Sequence, residues 1–443
     1  MPNPRNTALT VLLKIEQDKA YSNIALNNAV KEQGLNSQDS AFVSALVYGV
    51  LERKLLLDYI IKQYSKIPLR KIEIKTKLIL RLGILQLLFM DKIPESAAVN
   101  ESVKLAKKHK LQKSAGFING ILRSITRAEV KYTLPDKSDK VYYYSIKYSV
   151  PKELVQLWLN SYGELNTEEL LKSLSGRAKI CARVNTLKTD ADTLISELAK
   201  DGVKAEKSGL LDNALILSGT GSIERLNAYR NGFFHIQDLS SQLCVYFLNP
   251  KPRDVMIDVC SAPGGKSFTA AQYMNDRGKL FACDLYDHKI KLIGSGARRL
   301  GINCIVASIR DGANGGSLPL ADKILCDVPC SGLGILSRKP EIRYKEDLID
   351  NTLLELQYKI LCNSAKNLAV GGRLVYSTCT LNPAENNENT AKFLREHQNF
   401  EGVKLNLPNG AERMTDENDY EITLSPHKSG TDGFYIAVFT RKA

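Results

Sequence analysis

Two of the nine cysteines stand in contexts unlike the other seven. Cys330 closes the run Asp327-Val-Pro-Cys, and Cys379 closes Ser377-Thr378-Cys. Each directly follows an apolar, strand-like stretch, KILC before Asp327 and RLVY before Ser377. A thiol sited after a breaker or a polar run reads as a reactive group, whereas one inside an apolar run is a small buried hydrophobe. Hydride transfer needs no cysteine. Methylation at carbon 5 of a pyrimidine does, because that carbon is a poor nucleophile while the ring is aromatic. A thiolate adding at carbon 6 makes carbon 5 enamine-like and able to attack an electrophilic methyl. The carbon-5 proton must then leave and the thiolate be expelled, and a second group nearby assists as base. Two thiols at neighbouring strand ends can share that work.

The stretch from Val255 to Ser267, VMIDVCSAPGGKS, supplies the corner where a cofactor would sit. Its first residues read as a buried strand. Ser261, Pro263, Gly264 and Gly265 break it, and SFTAAQYM returns to helical period. Strand, Gly-rich turn and helix make the ligand-binding corner of an open α/β sheet. A dinucleotide fingerprint is absent. Gly265-Lys266-Ser267 matches the end of a phosphate-binding loop, but Cys260 occupies its first glycine position and Pro263 lies inside it. Further polar residues close the following strands: Asp284 after KLFAC, Asp311 past INCIVASI, Asp327 after KILC. A carboxylate at the end of the second strand suits the vicinal hydroxyls of a ribose, and Asp311 suits an adenine amino group, so the cofactor contains a nucleoside. The thiols favour a methyl donor, S-adenosylmethionine, over a nicotinamide.

The chain has 443 residues, 44% of them hydrophobic, enough for two or three domains. No apolar run approaches the roughly 20 residues that span a bilayer, and the N-terminus carries no secretory core, so a cytoplasmic protein without a membrane partner is expected. An odd number of cysteines without framework spacing excludes a disulfide scaffold. No C-x-x-C pair exists and the five histidines are isolated, so no metal is expected. The formal net charge is +13, and residues 1–130 alone carry 21 Lys and Arg against 11 Asp and Glu. Such a local excess is the footprint of a phosphate-binding surface.

These residues need three kinds of scaffold. Residues 5 to about 130 have helical periodicity in Ala8–Ile15, Phe42–Leu51, Leu55–Ile61, Ile79–Phe89 and Val99–Leu105, punctuated by Gly34, Pro68, Pro94 and Gly116. A polar, aromatic stretch and an amphipathic helix after Pro151 follow, with Trp158, the one tryptophan, as a packing residue. Residues 176 to about 230 read strand, helix, strand, strand, a small α+β unit. From Gly232 strands and helices alternate into a doubly wound, mainly parallel sheet, with an antiparallel tail.

Ordered words in the sequence now match a family. CSAPGGK, DVPCSGLG, STCT and QDLSSQ resemble the Nop2/Sun (NSUN) RNA cytosine-5 methyltransferases, and IPESAAVNESVKLAK with GFINGILR resembles the helical RNA-binding domain of the NusB antitermination family. The resemblance covers essentially the whole chain. It implies a NusB-like helical domain over 1–135, linker helices and a small α+β domain of RRM or ferredoxin-like type over 136–231, and a Rossmann-like α/β methyltransferase domain over 232–443. It implies S-adenosylmethionine as methyl donor, a cytosine of 16S ribosomal RNA (cytosine 967) as target, and RNA that is unassembled or partly assembled. A monomer is expected. Carried over by residue, Cys379 is the nucleophile at carbon 6, Cys330 assists release, and Lys266 and Asp327 lie beside the base. Cys260, Ser261, Ala262, Pro263, Gly264, Gly265, Lys266, Asp284, Asp311 and Asp327 line the cofactor site. DNA cytosine-5 methyltransferases attack with the Pro-Cys thiol instead, so the division between the two cysteines comes from the RNA family alone. Departures are Ser261 and Ser267 for commoner Ala and Thr, Thr380 for Ser, and Tyr344 for a usual Trp that bears on RNA or on the wall of the site. A non-catalytic RNA-binding or assembly factor on the same fold is the rival reading, and the intact Cys330, Cys379, Lys266 and Asp327 weigh against it.

Overall fold

The structure, a computed structural model, describes residues 3–443 except Arg177, 315–317, Glu346, Asp347, Ile349 and Asp416. The chain divides into two compact units, Met1–Gly176 with Leu336–Leu348, and Arg177–Ile335 with Ile349–Ala443.

The first unit is helical. Helices span Pro4–Asp18, Ser22–Gln33, Ser37–Glu52, Lys54–Tyr64, Ile74–Phe89, Glu95–Lys108 and Gln112–Arg127, then Lys140–Tyr148 and Lys152–Ser173. Asn3 caps the first, its side chain accepting from the amides of Arg5 and Asn6, and Gly34 closes the second at φ 57°. Ile74–Phe89 is the central helix and is buried on nearly every face, from Leu78 through Gln86. Its one buried guanidinium, Arg81, is clamped by Asp58 at 2.7 and 2.8 Å and by Glu16 at 2.8 Å. One expectation is corrected here. Gly116 does not punctuate but lies inside Gln112–Arg127, where the neighbouring apolar residues keep the helical period. The helix Ser22–Gln33 falls within the stretch expected to be helical, although its polar residues mask three buried apolar ones, Ala25, Leu26 and Ala29. Trp158 is fully buried, as a packing residue.

Segment 336–348 packs with this helical unit although the sequence places it in the catalytic half. Arg343 is buried and donates to the carbonyls of Tyr148, Ser149 and Leu336. The Tyr344 hydroxyl donates to the carbonyls of Leu51 (2.8 Å) and Ser149 (3.1 Å), and the Lys54 ammonium lies 4.8 Å from its ring centroid. Tyr344 is thereby a fastener of the helical unit.

The second unit holds two sheets. Strands β1 (Ile180–Val184), β2 (Lys204–Lys207), β3 (Ala214–Ser218) and β4 (Phe234–Ile236) form an antiparallel sheet in the order β2-β3-β1-β4, with helix Ala191–Lys200 between the first two. Strand β4 lies in the stretch read as the start of the catalytic half; it pairs instead with β1, Phe234 opposite Val184. The larger sheet comprises β5 (Val255–Asp258), β6 (Lys279–Asp284), β7 (Ile305–Ile309), β8 (Ala321–Asp327), β9 (Leu368–Thr378), β10 (Phe400–Gly402), β11 (Glu421–Leu424) and β12 (Phe434–Arg441). Its order is β10-β12-β9-β8-β5-β6-β7, with β11 paired to β12. Strands β5 to β9 run parallel and β10 to β12 antiparallel, the mixed sheet expected of the alternating pattern and its tail. The chain order reverses at β5, with β6 on one side and β8 on the other, and ligands of such sheets bind outside the carboxyl ends at that switch. No helix among the described residues is long and apolar enough to cross a membrane.

Candidate active site

The carboxyl ends of β5, β6, β8 and β9 carry the residues singled out from the sequence. After β5 the chain turns through Cys260–Gly264 into helix Gly265–Tyr273. Gly264 has φ 110°, and a Cβ there would lie 2.4 Å from the Phe268 ring, so the turn admits only glycine. The Ser261 amide donates to the Cys283 carbonyl (2.8 Å) and the Ala262 amide to Asp284 Oδ2 (3.1 Å). The Gly-rich turn is thus pinned to the end of β6. Asp284 Oδ1 faces the Lys289 ammonium at 3.1 Å. Asp311 follows β7, and its carboxylate accepts from the Ala313 amide and the Asn314 side chain of its own loop.

Beneath the turn, Asp258 is buried. Its Oδ2 accepts from Ser267 Oγ at 2.6 Å, Ser267 meets Ser261 at 2.8 Å, and Oδ1 has no hydrogen-bond partner. Burial pushes the Asp258 carboxyl up to about 7, against the smaller opposing pull of Ser267.

Lys266 leaves the helix N-terminus toward β8. Its Nζ lies 2.7 Å from Asp327 Oδ2, while Asp327 Oδ1 accepts from Ser377 Oγ at 2.7 Å. Asp327 and Ser377 face each other in register across β8 and β9. Burial acts to lower the Lys266 ammonium, but Asp327 and the other acidic groups around it together outweigh burial and the net direction is up, so Lys266 is a fixed cation. The Asp327 side chain keeps 26% of its surface exposed.

Three residues past Asp327 and two past Ser377 stand the paired thiols. Cys330 Sγ and Cys379 Sγ are 3.2 Å apart. The Cys330 thiol is held well above its usual range, first by its contact with Cys379 and then by burial. Both, like Cys260 and Cys362, are partly exposed, whereas Cys181, Cys244, Cys283, Cys304 and Cys326 are buried as the apolar contexts suggest.

One residue was not legible in advance. Glu385, 2% exposed, accepts from the Ser331 amide (2.9 Å), Ser331 Oγ (2.5 Å), Gln357 Nε2 (2.8 Å) and Asn382 Nδ2 (3.0 Å), with Thr380 Oγ1 at 3.4 Å. Ser331 follows Cys330 and Thr380 follows Cys379, so one carboxylate grips both thiol loops. Gly334 adds a second tie: its amide donates to the Cys379 carbonyl, and its backbone approaches Gly433 so closely that a Cβ would fall 1.8 Å from the Gly433 oxygen. The only sequence signal for Glu385 is a polar run, NPAENNEN, directly after the cysteine motif.

The residues around the Gly-rich turn fit S-adenosylmethionine. The turn excludes side chains at Gly264, and acceptors for hydroxyl and amino donors stand at Asp284 and Asp311. Among the described residues no group of three or more His, Cys, Asp or Glu is placed to hold a metal ion.

Comparison with known proteins accords with this architecture. Residues 245–440 match the 16S rRNA methyltransferase RsmB/F model, residues 2–127 the NusB family and residues 150–224 the ferredoxin-like domain of RsmF/B-like methyltransferases. The probable ribosomal RNA small subunit methyltransferase B of Bacillus subtilis (strain 168) is 36% identical over 445 residues, covering 99% of this chain and 98% of the relative. Its counterpart in Synechocystis (strain ATCC 27184 / PCC 6803 / Kazusa) is 34% identical over 442 residues, covering 99% of each. The crystal structure of PH0851 shares the fold with a TM-score of 0.82 at 24% identity, over 100% of this chain and 99% of that one. With a helical NusB-like domain, a ferredoxin-like sheet and a thiol-bearing Rossmann-like sheet in one chain, the protein belongs to the S-adenosylmethionine-dependent ribosomal RNA small subunit methyltransferase B family.

Proposed function

We propose that the protein methylates carbon 5 of a cytosine in 16S ribosomal RNA, cytosine 967 by family resemblance, through a covalent bond between Cys379 and carbon 6. The observation that carries this reading is the pair of thiols 3.2 Å apart at adjacent strand ends, beside Lys266 and Asp327.

S-adenosylmethionine, when bound, supplies an electrophilic methyl on a sulfonium. Cys260–Lys266, Asp284, Asp311 and Asp327 would hold it. The chain's own groups do the rest. Asp327 has exposed carboxylate surface to accept from the exocyclic amino group of cytosine. The fixed charge of Lys266, 2.7 Å from Asp327, holds that carboxylate in place and offers a cation where the ring gains electron density. The Cys379 thiolate forms the bond to carbon 6, and the electron pair displaced to carbon 5 makes the new carbon–methyl bond. Loss of the carbon-5 proton then restores the ring double bond and expels the thiolate. Cys330, 3.2 Å from Cys379, stands close enough to carry a proton in that release, and the assignment of attack to Cys379 follows the family resemblance.

The basic helical domain holds RNA phosphates and sets position, since its Lys and Arg excess is a matter of charge and carries no base readout. The target ring must be unstacked to reach both thiols, which suits RNA not yet enclosed by assembly. The test is bisulfite sequencing of 16S ribosomal RNA from a strain lacking the gene, with the purified enzyme then supplied with labelled methyl donor. One cytosine losing protection and regaining it in vitro is the expected result. An unchanged cytosine pattern, or label on another base, contradicts the proposal.

A further inference from the structure

A second charged site lies within the second unit, between the small sheet and the large one. A cavity of about 770 Å³ opens there. Its walls come from β1, the loop before β3, the C-terminal ends of helices Leu239–Leu248 and Gly265–Tyr273, β9 and the loop after β10. It stands apart from the thiols: Arg373, on its wall, is five residues before Thr378 on β9, about 16 Å along the strand.

The lining is rich in donors and poor in acids. Arg183 is 3% exposed, Gln272 1%, and both line the cavity with Tyr273, Arg373 and Lys404. Arg183 Nε donates to Gln272 Oε1 at 3.1 Å, and its guanidinium carbon lies 5.0 Å from the Tyr273 ring centroid. Gln272 Nε2 is buried with no acceptor. Arg373 Nη1 donates to the Phe247 carbonyl at 2.9 Å. Among the described residues neither arginine has a carboxylate partner: burial lowers Arg373, and it lowers Arg183 against the weaker opposing pull of Tyr273. The one acidic lining residue, Asp212, is exposed.

A buried guanidinium without a counter-charge is costly unless something supplies that charge. The planar fork of arginine matches tetrahedral oxyanions, and a monocarboxylate would answer only one of three cations. The cavity is also of the size that takes nucleotide-scale ligands. We infer that this cavity is a phosphate-binding site, in which Arg183, Arg373, Lys404 and the unpartnered amide of Gln272 receive a phosphate group carried by an RNA backbone or by a phosphorylated small molecule. The inference does not depend on the chemistry assigned to the thiols.

The test is calorimetric titration of the full-length protein with pyrophosphate and, separately, with a short oligouridylate. Arg373→Gln, Lys404→Gln and Arg183→Lys are compared with the unaltered chain, and thermal melting identifies which variants are folded. Pyrophosphate should bind one site, and each folded variant should weaken it about tenfold or more. Arg373 is partly exposed and Lys404 exposed, so those two variants decide the matter even where Arg183→Lys does not fold. If oligouridylate weakens in parallel and pyrophosphate competes with it, the phosphate belongs to RNA. If oligouridylate affinity holds while pyrophosphate binding is lost, the site takes a free phosphorylated molecule. Absence of pyrophosphate binding, or equal affinity in the unaltered chain and the folded variants, overturns the inference.

Discussion

Each unit of the molecule holds a cation 2.7 Å from an aspartate, and the two pairs are put to opposite uses. In the helical unit Arg81 is 3% exposed and meets both oxygens of Asp58 and one of Glu16. Its charge is answered from two sides, and its neighbours raise it above its usual range despite burial. In the catalytic unit Lys266 makes its ion pair with a single carboxylate among the described residues, Asp327, whose side chain keeps a quarter of its surface open and whose other oxygen accepts from a serine hydroxyl. Around that pair stand an unpartnered carboxylate oxygen on Asp258 and a thiol that resists ionisation on Cys330. A saturated ion cluster locks helices together. An unsaturated one keeps valences for a substrate, and perturbed groups gather there.

Substitution should separate the two uses. Arg81→Met leaves the half-buried Asp58 without its partner and Glu16 with Lys54 alone, and should cost about 3 kcal/mol of stability in denaturant unfolding. Lys266→Met should leave the unfolding midpoint nearly unchanged and lower methyl-transfer turnover by about 10²–10³. A Lys266 variant that loses stability instead of turnover would erase the contrast. Glu385→Gln, which keeps the shape of the grip but weakens it on both thiol loops, should lower turnover by roughly a hundredfold through misplacement of the thiols, with cofactor affinity intact. Loss of cofactor affinity alone would mean that Glu385 does not position the cysteines. Asp284→Ala removes an acceptor at the end of β6 and should weaken S-adenosylmethionine by about 1.5–3 kcal/mol, read by calorimetry. Unchanged affinity there removes the ribose assignment.

The Asp258 carboxyl offers the most graded effect. Its folded value near 7 lies above the ordinary 3.8. Between those values the folded state holds a proton that the unfolded chain has released, so its contribution to stability is full at acid pH and falls as pH rises toward 7. The slope from this one group is about 1.4 kcal/mol per pH unit. Asp258→Asn should flatten stability against pH over that window. An unchanged slope would place the carboxyl in an ordinary environment.

What the sequence disclosed follows the range of its signals. Cys330, Cys379, Lys266 and Asp327 sit in short words at the ends of apolar runs, and the parallel sheet brings strand ends together whatever the intervening chain does. The helices, the small antiparallel sheet and the mixed large sheet announced themselves by local period. Glu385 did not, because its role depends on Ser331 and Gln357, residues distant in sequence that meet only in the folded sheet. Segment 336–348 reads as catalytic by position, yet its side chains bond to backbone near residues 51 and 149. The strand β4 was hidden for a similar reason: its three residues are fixed by pairing with β1, about fifty positions earlier.

The central claim is the division of labour between thiols 3.2 Å apart. Its most direct measurement uses S-adenosylmethionine labelled in the methyl group, target RNA, and denaturing electrophoresis of the unaltered enzyme, Cys330→Ala, Cys379→Ala and the double variant. If Cys379 attacks and Cys330 serves release, Cys330→Ala should accumulate a labelled protein–RNA adduct that survives denaturation, while Cys379→Ala and the double variant form none and transfer no methyl. An adduct in Cys379→Ala and none in Cys330→Ala would reverse the assignment. Full methyl transfer by both single variants, with no adduct in either, would contradict the covalent mechanism itself.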